Sequence, residues 1–344
     1  MLEREQTNII IPFGNTPDQP EREQLMHTVV KDCIVPLADE ATRVVLVESG
    51  ENRSQEHFST MYCNEYIYLR APNNSFGAGT AQNTGFVLSS ESTYTYIHQA
   101  DFLLPKDALK KSFEVMHNSD APLVFPFFSS INLSKPLTEA VVQGVVDWKA
   151  LYQVLWEINK TVKFEVETNG SQKRIRLGAS NLEILKDILP SGLMEYFLRL
   201  KSSEVWGEND GSFTYHPEFY SVESESDCLV NYRPGPRAKA SYLAKSDDYA
   251  KTGGPPGFIG WGPEDLGFWA RVHAVYGYAI KDQHIVYKNY SLTTDMPLVH
   301  LWHSTSHRPG YYEQLEMNTK IVDDFIAKSR VEKLLEIVPL QKQK

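Results

Sequence analysis

The sequence predicts an α/β protein: a mixed, mainly parallel sheet flanked by helices, with a large insertion. Two observations predict it. Short β-branched apolar runs recur through the first hundred residues, and segments with helical spacing fall between them. The runs are also apolar on consecutive positions, as expected of parallel strands covered on both faces. Thr7–Phe13 (TNIIIPF) is the first run, closed by Pro12. A helix is expected over Glu21–Val35, with Leu25, Val29 and Val30 on one face. Arg43–Glu48 and Glu65–Ala71 read as the second and third strands, Gly79–Ser90 as a helix, and Tyr94–His98 as a fourth strand. In such a sheet ligands gather beyond the carboxyl ends of the strands. That singles out Pro12, Phe13, Glu48, Arg70 and Asp101.

Beyond residue 118 the pattern is less regular. Asn169-Gly170 between two short polar-apolar runs signals a hairpin. Leu182–Leu200 has helical spacing, broken at Pro190. The aromatic, Gly/Pro-rich stretch Glu204–Gly257 shows no period and reads as long loops, a lid or acceptor platform. Helices are expected from Glu264 through Ala274, over Met317–Ala327 and over Arg330–Ile337. The division expected is 1–118, 119–253 and 254–344: a nucleotide-binding half, an insertion on the acceptor side, and a catalytic and metal-binding segment.

The 344 residues are 42% hydrophobic and 23% charged, which excludes disorder, collagen and coiled coil. A net charge of −10 argues against nucleic acid as a partner. Three widely spaced cysteines form neither a disulfide framework nor a zinc site, so a reducing, cytoplasmic setting is expected. No stretch approaches the roughly 20 apolar residues of a membrane span.

Three constellations can carry chemistry. Asp101 follows the fourth strand; read alone, it serves equally as a turn or cap residue or as a site carboxylate. Gly257–Asp265 (GFIGWGPED) sets Trp261 between Gly260 and Gly262, with Glu264 and Asp265 at a helix start. It reads either as a packed glycine turn with acidic caps or as a hinged aromatic lid beside a general base. Third, His300, His303 and His307 place three of the chain's ten histidines within eight positions. On a straight strand His300 and His303 would diverge; in a turn or on a helix they converge. With a distant carboxylate they suit a divalent ion such as Mn²⁺, although structural histidines are the equal alternative.

The order of these pieces resembles the GT-A (Rossmann-like) glycosyltransferases. It is most similar to the galactosyltransferase-type segment of β-1,4-galactosyltransferases, polypeptide N-acetylgalactosaminyltransferases and chondroitin polymerases. Ile9–Phe13 resembles the family's opening strand with its nucleotide-facing Pro-Phe. Phe76, Asn83 and Gly85 resemble the helix that precedes the metal strand. Gln99-Ala100-Asp101 stands where the family has Asp-x-Asp, and Gly260–Asp265 resembles its G-W-G-G-E-D. His300-x-x-His303 falls where galactosyltransferases carry Met-x-x-His. Residues 7–118 and 254–325 match in order and type; residues 119–253 do not.

The resemblance implies an inverting, metal-dependent transferase that moves a sugar from a UDP-sugar to a glycan or small hydroxyl acceptor. It implies Asp265 as general base, Glu264 orienting the acceptor and Trp261 closing over the donor. Asp101, His303 and His300 would hold Mn²⁺. With His300 in place of a thioether the site is harder, so Mg²⁺ is admitted too. Pro12, Phe13, Glu48 and Phe76 would line the nucleoside pocket, with Asn83 and Gln99 nearby. The chain departs from the family in three places. Gln99 replaces an Asp, Pro263 replaces a Gly, and the arginines after Pro-Phe are missing, leaving Arg22, Arg70 and Arg308 as diphosphate contacts. These departures motivate an alternative, a catalytically weak carbohydrate-binding protein on the same scaffold. A metal-dependent hydrolase is a third reading, disfavoured because no His-Glu-x-x-His helix is present.

Overall fold

The computed structural model describes residues 6–14, 19–71, 76–119, 121–127, 129–133, 135–161, 165–166, 173–176, 187–188, 212–215, 230–234, 241–258, 260, 262–281, 284–287, 291–294, 296–304 and 311–343. The chain is α/β. Strand β1 (Thr7–Gly14) lies at the centre of a seven-stranded sheet and is buried along its whole length. It pairs in parallel with β2 (Thr42–Gly50) on one side and β4 (Tyr94–Ile97) on the other, and β3 (Glu65–Arg70) adds in parallel to β2. Ile9, Ile10 and Ile11 are fully buried. Each such side chain contributes about 1.5–3 kcal/mol relative to exposure, enough to fix this strand's place in the core. Pro12 is tolerated inside a central strand because the β4 pairing stops at Ile10↔Ile97, two residues earlier.

The helices fall where the spacing predicts. Glu21–Val29 continues through a π turn, Val30–Ile34, into Val35–Leu37. The wide turn ends just before Pro36, which cannot donate and would crowd an α-helical carbonyl. Ala78–Leu88 lies directly on the sheet. A Cβ at Gly85 would sit 2.6 Å from Ile10 Cγ2 and 2.7 Å from Val47 Cγ2, so glycine sets how closely this helix approaches β1 and β2.

One correction concerns the long irregular stretch. Within it, Tyr242–Lys245 is a strand, β12, followed by a helix over Ser246–Thr252. β12 runs antiparallel between β4 and β6 (Leu123–Phe125), and β15 (Ser291–Thr293) completes that edge. Strands from both sides of residue 118 thus share one sheet. Tyr242 stacks on Phe268 at 4.7 Å and donates to Gln82 Oε1 at 3.1 Å, tying β12 to two helices. β10 (Ser212–Tyr215) also falls in the stretch read as loops. The hairpin is seen as β8 (Glu165–Val166) paired antiparallel with β9 (Lys173–Arg176); its turn, and most of the helix expected over Leu182–Leu200, lie outside the described residues.

A second sheet orders β11 (Val230–Pro234), β7 (Ser129–Leu133), β16 (Pro297–His300) and β5 (Phe102–Leu103). β16 runs parallel to β7 and antiparallel to β5, with His300 opposite Phe102. Helices Glu264–Tyr276, Tyr311–Ala327 and Arg330–Glu336 close the described chain. No described helix is long and apolar enough to cross a membrane.

The Gly85 contact yields a test. Gly85→Val overpacks the helix–sheet interface and is expected to lower stability by about 1–3 kcal/mol. A shifted urea midpoint with unchanged slope would show it; an unshifted midpoint would contradict the contact.

Candidate metal and catalytic site

β4 ends at Ile97, and the chain turns through His98–Asp101 into β5. The turn is built on His98, which is fully buried. Its Nδ1 lies 3.1 Å from the Tyr96 hydroxyl and its Nε2 lies 2.9 Å from the Phe102 carbonyl. Burial pushes its pKa down to about 4, so at neutral pH it is an uncharged brace. Gln99, expected near the nucleotide, donates its backbone N–H to Ser241 Oγ at 3.1 Å and accepts from Phe102 N at 3.3 Å through its carbonyl. Asp101, at 7% exposure, is held at the tip.

The β5–β16 pairing carries His300 to Asp101. Beyond His300 the strand stops, so the divergence of a straight strand does not apply. Leu301 N donates to the Asp101 carbonyl at 2.9 Å and Trp302 N to Thr138 Oγ1 at 2.8 Å, folding His303 back. The Nε2 atoms of His303 and His300 then lie 3.1 and 3.8 Å from Asp101 Oδ2. One ligand atom from each of the three residues falls within 4.8 Å of the others. Arg22, at the start of the first helix, places a guanidinium nitrogen 3.5 Å from the same oxygen.

The donor set itself fits a cation. His303 Nδ1 lies 3.0 Å from the Ser304 carbonyl, which can only accept, so Nδ1 carries the proton. In neutral His303 the Nε2 lone pair then faces a carboxylate oxygen, a repulsive contact that a proton or a metal ion relieves. A ring N–H anchored on a backbone carbonyl is also the usual outer support of a metal-bound imidazole. Burial would raise the Asp101 pKa, but hydrogen bonding and charge from His300 and His303 outweigh it and hold the carboxyl well below its usual range. Behind this cluster Ser304 is fixed by Gln19 and Glu21: Ser304 N donates to Glu21 Oε1 at 3.0 Å, its hydroxyl to the same oxygen, and Gln19 Nε2 to its carbonyl. Sequence reading missed Gln19, Glu21 and His98. Glu21 and Ser304 are 283 positions apart, and no local motif links them.

The remaining predicted residues make separate sets of contacts. Phe13 is buried and Phe76 lies over the end of β1, so close that a Cβ on Gly14 would be 2.7 Å from the ring. Glu48 is fully buried, and its oxygens accept from Ser54 N, Ser54 Oγ (2.7 Å), Gln55 N (3.1 Å) and the Tyr66 hydroxyl. In this structure it organises the turn after β2. Asn83 donates to the Pro255 carbonyl at 2.8 Å and accepts from the Tyr249 hydroxyl at 2.9 Å. It thereby pins the loop leading to Gly260. There Gly254 has φ +60, and a Cβ would lie 1.9 Å from Asn83 Oδ1. Gly260 has φ +76 and closes on Gln314, while Gly262 closes on Asn318. Trp261 between them lies outside the described residues, as do His307 and Arg308; Arg70 is exposed at the end of β3.

Glu264 and Asp265 open helix Glu264–Tyr276, which Pro263 caps without a side-chain bond. Asp265 is half-buried. Glu264 is 8% exposed and packs against the helix Ala78–Leu88, with its Cγ 3.3 Å from a Cβ position on Gly79. Burial pushes its pKa up to about 8, with neighbouring Asp265 adding to the shift. At neutral pH Glu264 is therefore largely an uncharged acid that can donate a hydrogen bond.

No protein-family model matches the chain, and no curated protein matches it. Among solved structures it is similar to glucosyl-3-phosphoglycerate synthase from Mycobacterium tuberculosis. Against the complex with Mn²⁺, UDP-glucose and phosphoglyceric acid the TM-score is 0.44 at 11% identity, over 95% of this chain and 80% of that one. Against the UDP complex it is 0.43 at 10% identity, over 97% and 81%. What this chain does is therefore read from its own residues.

The Glu264 environment makes a pH prediction. Its unfolded pKa is 4.5 and its folded value about 8. Between them the folded state keeps a proton that the unfolded state has lost, so this group's contribution to stability falls as pH rises through that window. Glu264→Gln, which mimics the protonated acid, should remove that fall. The Tm of the variant relative to wild type should rise steadily between about pH 5 and pH 8. A difference independent of pH would contradict the buried, neutral state.

Proposed function

We propose that the chain is an inverting, metal-dependent glycosyltransferase of the GT-A, galactosyltransferase-like type. It moves a sugar of the Gal, GalNAc or GlcNAc class from a UDP-sugar to a hydroxyl on a glycan or small acceptor. The observation that supports this most is the Asp101–His300–His303 cluster, set beyond the carboxyl end of β4 beside Arg22. Asp101, His303 and His300 would hold the ion, with Mn²⁺ favoured by the imidazoles and Mg²⁺ admitted by the carboxylate. When bound, that ion supplies charge neutralisation to a departing diphosphate.

The chain's own groups divide the rest of the work. Arg22 adds a fixed positive charge beside Asp101, where the missing arginines after Pro12-Phe13 would otherwise act. Pro12, Phe13 and Phe76 offer an apolar wall for a nucleoside at the end of β1; Glu48 and Asn83 hold the loops around it. Asp265 takes the proton from the acceptor hydroxyl as that oxygen attacks the anomeric carbon from the side opposite the leaving group. Glu264, as a neutral acid, donates to an acceptor oxygen and orients it. Trp261, between glycines that close on Gln314 and Asn318, covers the donor and excludes water.

Two variant series test this. Asp265→Asn should leave donor binding nearly intact and cut turnover by about 10²–10⁴; near-normal turnover would sink the assignment. His303→Ala should lose more Mn²⁺ affinity than His300→Ala, since His303 lies closer to Asp101 and is braced on Ser304. Equal affinities in both variants and wild type would contradict the metal site. UDP binding with no sugar release in any acceptor mixture would instead favour the carbohydrate-binding reading.

A further inference from the structure

A cavity of about 270 Å³ opens on the far side of the loop that carries His303. Its lining includes Trp302, whose backbone helps to fold His303 back but whose side chain takes no part in the metal cluster or the catalytic steps. Around it stand Glu21 and Gln24 from the first helix and Lys135, Glu139 and Gln143 from the helix Lys135–Val142 and its end. We propose that this cavity is a saccharide subsite that binds one ring of the acceptor carbohydrate; it rests on the reading of the neighbouring centre as a glycosyl-transfer site.

Three features carry the assignment. The first is the chemistry of the lining. Carboxylates and amides accept and donate in planar pairs, as vicinal sugar hydroxyls require, and the half-buried indole of Trp302 offers an apolar face to the C–H side of a ring. The second is charge. Among the described residues Lys135 is the single cation of the lining, and it already lies 3.9 Å from Glu139 and 5.2 Å over the Trp302 ring. Two carboxylates against one engaged ammonium disfavour a phosphate or diphosphate and leave a neutral polyol as the fitting ligand. The third is size and place. The volume lies just under the roughly 300–1,000 Å³ of drug-sized sites, which suits a ligand the size of one sugar ring. Its wall is also shared with the metal centre: Glu21 accepts from Ser304 N at 3.0 Å, and Ser304 braces His303. A ring seated here would lie against the loop that positions a metal ligand.

Saturation-transfer NMR on the full chain in EDTA tests the subsite apart from the donor. The probes are methyl β-galactoside, methyl β-glucoside and N-acetylglucosamine at about 10 mM, a range suited to millimolar affinities. At least one should show transfer in wild type, and Trp302→Ala should reduce it at least fivefold (about 1 kcal/mol). Gln143→Ala, farther from the metal loop, should weaken the same signal and keeps the test valid if Trp302→Ala fails to fold. No transfer from any probe, or transfer unchanged in both variants, would overturn the proposal. Transfer to UMP that these variants abolish would overturn it in favour of a nucleotide pocket. Calorimetry with Mn²⁺ and UDP separates the two readings. Glycoside binding without UDP binding leaves the cavity a saccharide site and removes the transferase; UDP binding without glycoside binding does the reverse.

Discussion

A carboxylate buried as deeply as that of Asp101 cannot stand without compensating charge, because desolvation alone would cost several kcal/mol. Much of the surrounding structure answers that constraint. β16 is registered against β5 so that His300 arrives opposite Phe102, next to Asp101. The chain then leaves the strand and folds back, so that His303 joins the same oxygen. Arg22 approaches from the first helix. Two distant stretches of chain, one around Arg22 and one over His300–His303, converge on one oxygen atom of Asp101, and each is anchored by backbone bonds as well as by charge. Such a convergence is costly to assemble for stability alone. It is what a bound cation would use.

The second constraint is close packing at the carboxyl edge of the sheet. Asn83, Gly254 and Pro255 form a joint in which no side chain larger than hydrogen is accommodated at position 254. Through it the helix Ala78–Leu88 sets the loop that ends in Gly260, and that loop sets the first turn of the helix bearing Glu264 and Asp265. Burial sets the first of these adjacent carboxyls apart, pushing the Glu264 pKa up to about 8, while Asp265 beside it is half-buried.

Much of this was legible in the residues. β1, β2, β3 and β4 carry dense apolar runs with helical spacing between them, because parallel strands covered on both faces have no polar alternation to hide them. Asp101, His300 and His303 were legible as candidates by residue type, and their convergence was conditional on a turn or a helix at His300. That turn exists because Leu301 and Trp302 donate to Asp101 and Thr138, bonds between residues up to 200 positions apart that no window can see. β12 was not legible. Tyr242–Lys245 is four residues with one exposed, following a long aromatic and Gly/Pro-rich stretch, and it becomes a strand only because β4 and β6 offer edges on both sides. Glu48 shows the reverse case. Read as the end of a strand, it lies inside β2, which runs on to Gly50, and its carboxylate is committed to Ser54, Gln55 and Tyr66, which residue type alone does not reveal.

The proposed activity requires a metal ion at Asp101 that serves a nucleoside diphosphate. Isothermal calorimetry of UDP binding to the full chain, with Mn²⁺ and then with excess EDTA, in wild type and Asp101→Asn, addresses this directly. The account predicts UDP binding in the presence of Mn²⁺ that falls at least tenfold (about 1.4 kcal/mol) in EDTA, and an Asp101→Asn variant whose affinity no longer responds to the metal. UDP binding of equal strength with and without Mn²⁺ in the wild type, or no UDP binding at all, would contradict it.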